Sequence, residues 1–265
     1  MATPIKFGTD GWRAIIAADF TVENVARVTE ATGIWLKERF DIPTVVIGHD
    51  CRFAGELFME TAAKVLLAQG IQIKMARGFV STPMISLAAN QLGCEIGIIL
   101  TASHNPPSYN GFKLKAKFGG PLEPEKVTEV ENLIPDTCSV AYQTQDLDKA
   151  LESGQLEIID IETRYIDHVK ANFDLAAIRN SGLKFMYDAM YGAGQRALPL
   201  VLPEVELLHC EPNPSFMGTA PEPIAKNLQE LAQIIQSRGD ISCALATDGD
   251  ADRIGLYNSH GEFVD

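Results

Sequence analysis

The chain has 265 residues, with 35 Asp and Glu against 22 Lys and Arg, for a formal net charge of −13. That balance repels a phosphate backbone, so it argues against nucleic acid as a partner and requires any anionic substrate to be gripped by a local basic cluster. No apolar run approaches the roughly 20 residues of a membrane span, which argues against a membrane partner, and the start MATPIKFGTD lacks the apolar core of a signal peptide. Five cysteines (Cys51, Cys94, Cys138, Cys210, Cys243) are scattered, odd in number and without metal spacing. This suits a reducing, cytoplasmic setting rather than a disulfide framework. The length exceeds one average domain, so two compact units are expected.

In chain order, FGTDGWR (7–13) holds Asp10-Gly11, a hairpin-turn signal between two short strands. Residues 21–40 read as an amphipathic helix capped by Thr21, with Glu23 in its first turn. Residues 43–48 form a β-branched strand that ends at His49-Asp50, a pair expected to cap a turn. A helix over 55–69 stops at Gly70, a strand covers 71–76, and Thr82-Pro83 opens a helix to about Leu92. The apolar run 96–100 is a buried strand, and a strand resumes from Phe112. Residues 123–156 loosen into short helices and a connection rather than core, and 157–180 read as helix. A second alternation follows: strand 183–187, helix 194–202, strand 205–209, a proline-rich loop, helix 225–238 and strand 242–246. Short-spaced alternation predicts an α/β fold: two similar α/β domains, each a mostly parallel mixed sheet covered by helices. The expected domains are 1–158 and 159–260, with 261–265 starting a further one.

Two loops carry the chemistry. TASHNPPSYNGFKLK (101–115) leaves one strand and enters the next through Asn, Pro, Ser and Gly. Such a loop holds one hydroxyl, Ser103, out from a strand end while stiffening the backbone around it, as a nucleophile requires. TDGDADR (247–253) places Asp248, Asp250 and Asp252 at alternate positions after a buried strand. Three close carboxylates without a cation raise one another's pKa values, and a hard ion such as Mg²⁺ resolves the repulsion. An EF-hand loop from Asp248 needs Gly sixth and Glu twelfth, where this sequence has Arg253 and Ser259. A haloacid-dehalogenase-type phosphatase would need a long domain after the motif.

The first loop closely resembles the active-serine loop of the α-D-phosphohexomutases, the family of phosphoglucomutase and phosphomannomutase, which reads T-[AG]-S-H-N-P, a short insert, then N-G-[FI]-K. DGDADR resembles the family's metal loop D-G-D-[GA]-D-R, and FGTDGWR its opening motif F-G-T-x-G-x-R; the three occur in the family's order. The resemblance implies Ser103 as phosphoserine and a fourth metal contact, Asp248, Asp250 and Asp252 as ligands of one Mg²⁺, and Arg13, Lys113 and Arg253 as phosphate contacts. His104 is expected to orient Ser103 or a sugar hydroxyl, and Asn105 to shape the phosphate-binding loop with Asn110. The implied reaction interconverts hexose 1-phosphate and 6-phosphate, of glucose or mannose, through glucose 1,6-bisphosphate. A phosphoserine of about −2 and three aspartates around one Mg²⁺ leave about −3, which Arg13, Lys113 and Arg253 bring near neutral.

Lys115 and Lys117 alternate with Lys113 on one strand face and read as an ordinary solvated face. Gly192 to Ala197 fits G-x-G-x-x-[GA] in outline, so a dinucleotide-binding oxidoreductase is a minor alternative. The resembling family has four domains and this chain matches two, so the isolated chain is expected to isomerise poorly. A noncatalytic module that keeps the loops is a further alternative. The wording Gly111-Phe112-Lys113 is closer to glucose and mannose enzymes than to phosphoglucosamine mutase.

Overall fold

The computed structural model describes residues 4–8 and 10–264; Thr9 of the opening motif and Asp265 lie outside the described residues. The first unit begins with β1 (Trp12–Ile15), α1 (Val22–Lys37), β2 (Thr44–His49), α2 (Gly55–Ala68), β3 (Gln72–Ala76) and α3 (Thr82–Gln91). It continues with β4 (Ile96–Leu100), β5 (Tyr109–Ala116), α4 (Pro124–Asn132), α5 (Leu147–Glu152) and β6 (Leu156–Ile159). Among the described residues its sheet runs β1-β5-β4-β2-β3-β6, parallel from β4 to β6 and antiparallel at β1 and β5. The apolar runs split by side. Val45, Ile47, Ile96, Ile98 and Leu100 join Phe20, Val28, Phe58 and Leu66 in one core, while Val46 and Ile99 pack with Ile85 and Ala88 on the other. Burial on both faces explains why these strands are continuously apolar rather than alternating.

The helix starts follow the chemistry read from the sequence. Thr21 caps α1, its hydroxyl accepting from the Asn24 N–H at 3.2 Å. Ser81, one residue before the expected start, caps α3. The Asp10-Gly11 turn closes a single bridge, Gly8 to Gly11, with a strand only on its far side. Two expectations change further along. Residues 157–159 are not helix but the end of β6, pairing with β3 in parallel, so the expected border at 158 falls inside this strand. Residues 123–156 also contribute to the core, since Val130 and Leu156 are buried with the helices α1 and α2.

The second unit holds α6 (Ile161–Asn172), α7 (Leu175–Arg179), β7 (Phe185–Asp188), α8 (Ala197–Val201), β8 (Glu206–Leu208), α9 (Gln229–Arg238), β9 (Cys243–Thr247), β10 (Ile254–Asn258) and β11 (Phe263–Val264). Its sheet order is β11-β10-β9-β7-β8, parallel around β7 and antiparallel at β10 and β11. Residues 263–264 pair with β10 at one edge of this sheet. Residues 225–228 stay outside α9, which starts at Gln229. Among the described residues no helix is long and apolar enough to cross a membrane.

His209 pairs with two carboxylates of this unit. The Nδ1 of His209 lies 3.0 Å from Asp188 Oδ1, and Nε2 lies 3.4 Å from Glu230. The hydrogen bond to Asp188 raises the His209 pKa above its ordinary 6.5. A raised folded-state pKa gives stability that is complete below the unfolded value and is lost as pH rises through the folded one. His209→Asn is therefore expected to lower the denaturation midpoint more at pH 6 than at pH 9; equal losses at both would show that the charge contributes nothing.

Candidate active site

β4 ends at Leu100 and the chain turns at Ser103, whose φ of 54° lies in the left-handed region that non-glycine residues rarely adopt. The Thr101 hydroxyl accepts the Ser103 N–H at 2.9 Å, and donates to Asp50 Oδ2 at 2.5 Å. Facing this loop is the turn after β9. Asp248 Oδ1 accepts the N–H groups of Asp252 and Arg253 at 3.0 and 3.1 Å, which folds the loop around its own first carboxylate. Its other oxygen accepts the Ser103 hydroxyl at 2.7 Å. The two loops approach so closely that a Cβ at Gly249 would stand 2.5 Å from the Ser103 carbonyl, so only glycine fits there.

Asp248, Asp250 and Asp252 each offer an oxygen within 4.8 Å of the others. Lys113, almost fully buried, points its Nζ into this group, 2.8 Å from Asp250, 3.1 Å from Asp252 and 2.7 Å from Asp10. Burial pushes the Asp248 carboxyl up to about 8, reinforced by Asp250 and Asp252. Burial also acts to raise Asp250, but the Lys113 ammonium and the Thr82 hydroxyl override it and hold Asp250 at about 2. The Lys113 ammonium is in turn held above its usual range: burial works against it, and Asp250, Asp10 and Asp252 outweigh that.

A divalent cation fits this donor set. Three hard carboxylate oxygens converge, and Asp250 Oδ1 is buried without a hydrogen-bond partner, so one acceptor stands desolvated and uncompensated.

The remaining expected residues fall around the same point. Arg13 donates from Nη1 to Asn105 Oδ1 at 3.0 Å, which ties it to the serine loop. Asn110 accepts the Gly111 N–H at 2.8 Å and is buried, so it shapes the loop as expected. Arg253 is exposed and places Nη1 2.5 Å from His104 Nδ1. His104 thus contacts Arg253 rather than Ser103, whose hydroxyl is bound to Asp248. Burial first, then Arg253, depress the His104 pKa, which keeps the ring neutral beside the guanidinium.

Two expectations are overturned here. Lys115 is not on a solvated face: it is 5% exposed, with Nζ 3.7 Å from Asp10, because α3 covers that side of β5. Lys117 does remain exposed, beside Glu95. Asp50 does more than cap a turn. It is fully buried, accepts from Thr101 and from the Arg52 N–H, and lies 3.4 Å from Arg52 Nε. Burial lifts its pKa to about 6 in spite of Arg52.

The sequence marks Thr82 only as a helix start. With Ser81 taking the capping role, Thr82 is released to give Asp250 both its hydroxyl, at 2.5 Å, and its N–H, at 2.9 Å. The available sequence signal for Asp50 and Arg52 was their place at the carboxyl end of a parallel strand, where α/β sheets bind ligands. The glycine-rich segment 192–197 is occupied by the protein itself. Ala193 N–H donates to the Gly249 carbonyl, and a Cβ on Gly192 would stand 2.7 Å from the Asp248 carbonyl. The segment packs under the aspartate loop and presents no open cradle for a pyrophosphate.

Comparison with known proteins agrees with this geometry. The family profile described as phosphoglucomutase/phosphomannomutase, alpha/beta/alpha domain I, matches residues 4–139, and the domain II profile matches residues 163–261. A phosphoglucomutase/phosphomannomutase of Thermococcus kodakarensis is 34% identical over 97% of this chain and 56% of its own length. A protein of Methanobrevibacter smithii named as a phosphoglucosamine mutase is 33% identical over 99% of this chain and 57% of its own. A crystal structure described as a phosphomannomutase from Thermus thermophilus superposes with a TM-score of 0.89 at 35% identity, covering 99% of this chain and 59% of that one. The chain thus spans a little over half the length of the curated relatives it matches. A relative named as a phosphoglucosamine mutase is as similar over the chain as the one named for glucose and mannose, so overall similarity does not choose among these substrates. With both domain profiles covering most of the chain and the serine and aspartate loops meeting at one point, the chain belongs to the phosphoglucomutase/phosphomannomutase family.

Proposed function

We propose that this chain is the phosphoserine- and metal-bearing portion of a hexose-phosphate mutase that interconverts the 1- and 6-phosphates of glucose or mannose through a 1,6-bisphosphate. The observation that carries the reading is the Ser103 hydroxyl standing 2.7 Å from Asp248 in a three-aspartate loop. The unit carrying the serine closes with β6, and the unit carrying the aspartates follows it. In the transfer step a sugar hydroxyl oxygen attacks the phosphorus on Ser103. The phosphorus–Oγ bond breaks, its electron pair stays on Oγ, and Oγ takes up the proton that the hydroxyl gives up.

Asp248, Asp250 and Asp252 would hold Mg²⁺, which when bound supplies positive charge against the transferring group. This chain's own residues do the positioning. The Thr101 hydroxyl anchors the Ser103 N–H, and Gly249 lets the two loops close on each other. Arg13 and Arg253 flank the serine and offer guanidinium groups to phosphate oxygens. Lys113, already neutralised by three carboxylates, keeps that cluster folded in addition to any phosphate contact. Incubation with glucose 1,6-bisphosphate and Mg²⁺, followed by peptide mapping in the mass spectrometer, is expected to find the phosphoryl group on Ser103. Label on Ser108 or elsewhere, with Ser103 clean, would end this reading.

A further inference from the structure

The serine loop holds itself by two internal turns, Asn105 N–H to the Ala102 carbonyl and Tyr109 N–H to the Pro106 carbonyl, and a single side chain from a different strand end reaches four of its carbonyls. Arg52 is 3% exposed. Its Nη1 donates to the carbonyls of Pro106 and Tyr109 at 2.9 and 3.0 Å. Its Nη2 donates to the carbonyls of Ser103 and Asn105, each at 2.6 Å. All four terminal N–H donors of the guanidinium are thus spent on one loop, on both sides of its apex. The remaining edge faces Asp50, which keeps the buried charge paired. One face of the group is covered by the Phe216 ring of the second unit, 5.1 Å away.

We propose that Arg52 is the positioning residue for the Ser103 nucleophile, its planar fork holding the loop so that the left-handed Ser103 keeps its hydroxyl aimed at the aspartate loop. The inference rests on Ser103 being the phosphoacceptor. Five donors in a fixed plane can reach four separated carbonyls at once. A lysine ammonium has three donors on one nitrogen and cannot reach four separated carbonyls at once, which leaves the loop free to shift. A displacement of about 1 Å at a reacting atom costs on the order of 100-fold in rate. Neither Arg52 nor Asp50 hydrogen-bonds to the three aspartates, so the larger cost is expected at the serine and the smaller at the aspartate loop.

The test uses the full chain with Arg52→Lys and Arg52→Gln beside the unsubstituted protein. Ser103 phosphorylation is timed by mass spectrometry over a range of glucose 1,6-bisphosphate concentrations, and Mg²⁺ affinity is measured by calorimetry. The maximal rate is expected to fall about 100-fold. The half-saturating bisphosphate concentration and the Mg²⁺ Kd are expected to move less than about threefold, under 1 kcal/mol. Phosphorylation of Arg52→Lys at the unsubstituted rate overturns the proposal. So does a parallel loss of rate and Mg²⁺ affinity, which marks general loosening of the fold.

An unsubstituted chain that binds Mg²⁺ and never takes label on Ser103 defeats the phosphoacceptor reading itself, and this inference with it. Should neither variant fold, nitrogen NMR of the Arg52 guanidinium in the unsubstituted chain decides. Separate Nη–H signals that shift when Ser103 is phosphorylated support the proposal, and one averaged, unmoved signal refutes it.

Discussion

Lys113→Met is expected to cost the fold about 3–5 kcal/mol at neutral pH without divalent metal, the usual loss when one partner of a buried ion pair is removed. The side chain is 1% exposed and sits among Asp250, Asp252 and Asp10. Asp250 has no exposure at all, so its charge would be left in the interior with the Thr82 hydroxyl as the remaining side-chain donor to it. A loss of this size is a large share of the roughly 5–15 kcal/mol that holds a domain together.

The measurement is urea denaturation in the presence of a chelator. Two controls isolate the cause. Lys117→Met, on an exposed side chain just past the end of the same strand, is expected to stay within about 0.5 kcal/mol of the parent. Millimolar Mg²⁺ is expected to recover much of the loss in Lys113→Met, because ligand binding to the folded state supplies both the missing charge and linkage stabilisation. A Lys113→Met chain as stable as the parent would mean that the carboxylates are not charged together, and the electrostatic account of the site would fail.

Asp250→Asn is expected to weaken Mg²⁺ binding tenfold or more, about 1.4 kcal/mol. It removes one of three charges and alters an oxygen that is buried without a partner. From the sequence, relief of repulsion among three aspartates suggests that this variant folds as well or better without metal. The structure reverses that expectation. Asp250 accepts from Lys113 at 2.8 Å and from Thr82 at 2.5 Å, so its charge is already used. Folding without metal is expected to be weaker by about 1–3 kcal/mol, since both donors lose a charged acceptor. Calorimetric titration with Mg²⁺ and a denaturant series in chelator read the two effects separately. Unchanged Mg²⁺ affinity would remove Asp250 from the metal site.

The sequence by itself determined the α/β grammar, since strand and helix alternation depends on local apolar periodicity and on caps such as Thr21 and breakers such as Gly70. It also determined the serine loop and the aspartate loop, because each is a contiguous run whose residue types and spacing are the chemistry. What lay beyond local reading required partners distant in the chain. The strand at 156–159 exists because β3 offers it a parallel edge, and the twelve-residue helix α6 that follows masks it in the sequence. Lys115 looks solvated in a strand with exposed Lys117 two residues on, yet α3 folds over one and not the other.

Arg52 shows the same limit most clearly. Its neighbours in sequence say only that a strand has ended, and its four carbonyl partners lie more than fifty residues away. The pairing of Asp248 with Ser103 spans 145 residues and two sheets. Tertiary structure decides such contacts because burial determines which polar groups must be paired. A buried carbonyl or carboxylate takes a donor from whichever element the fold has brought beside it.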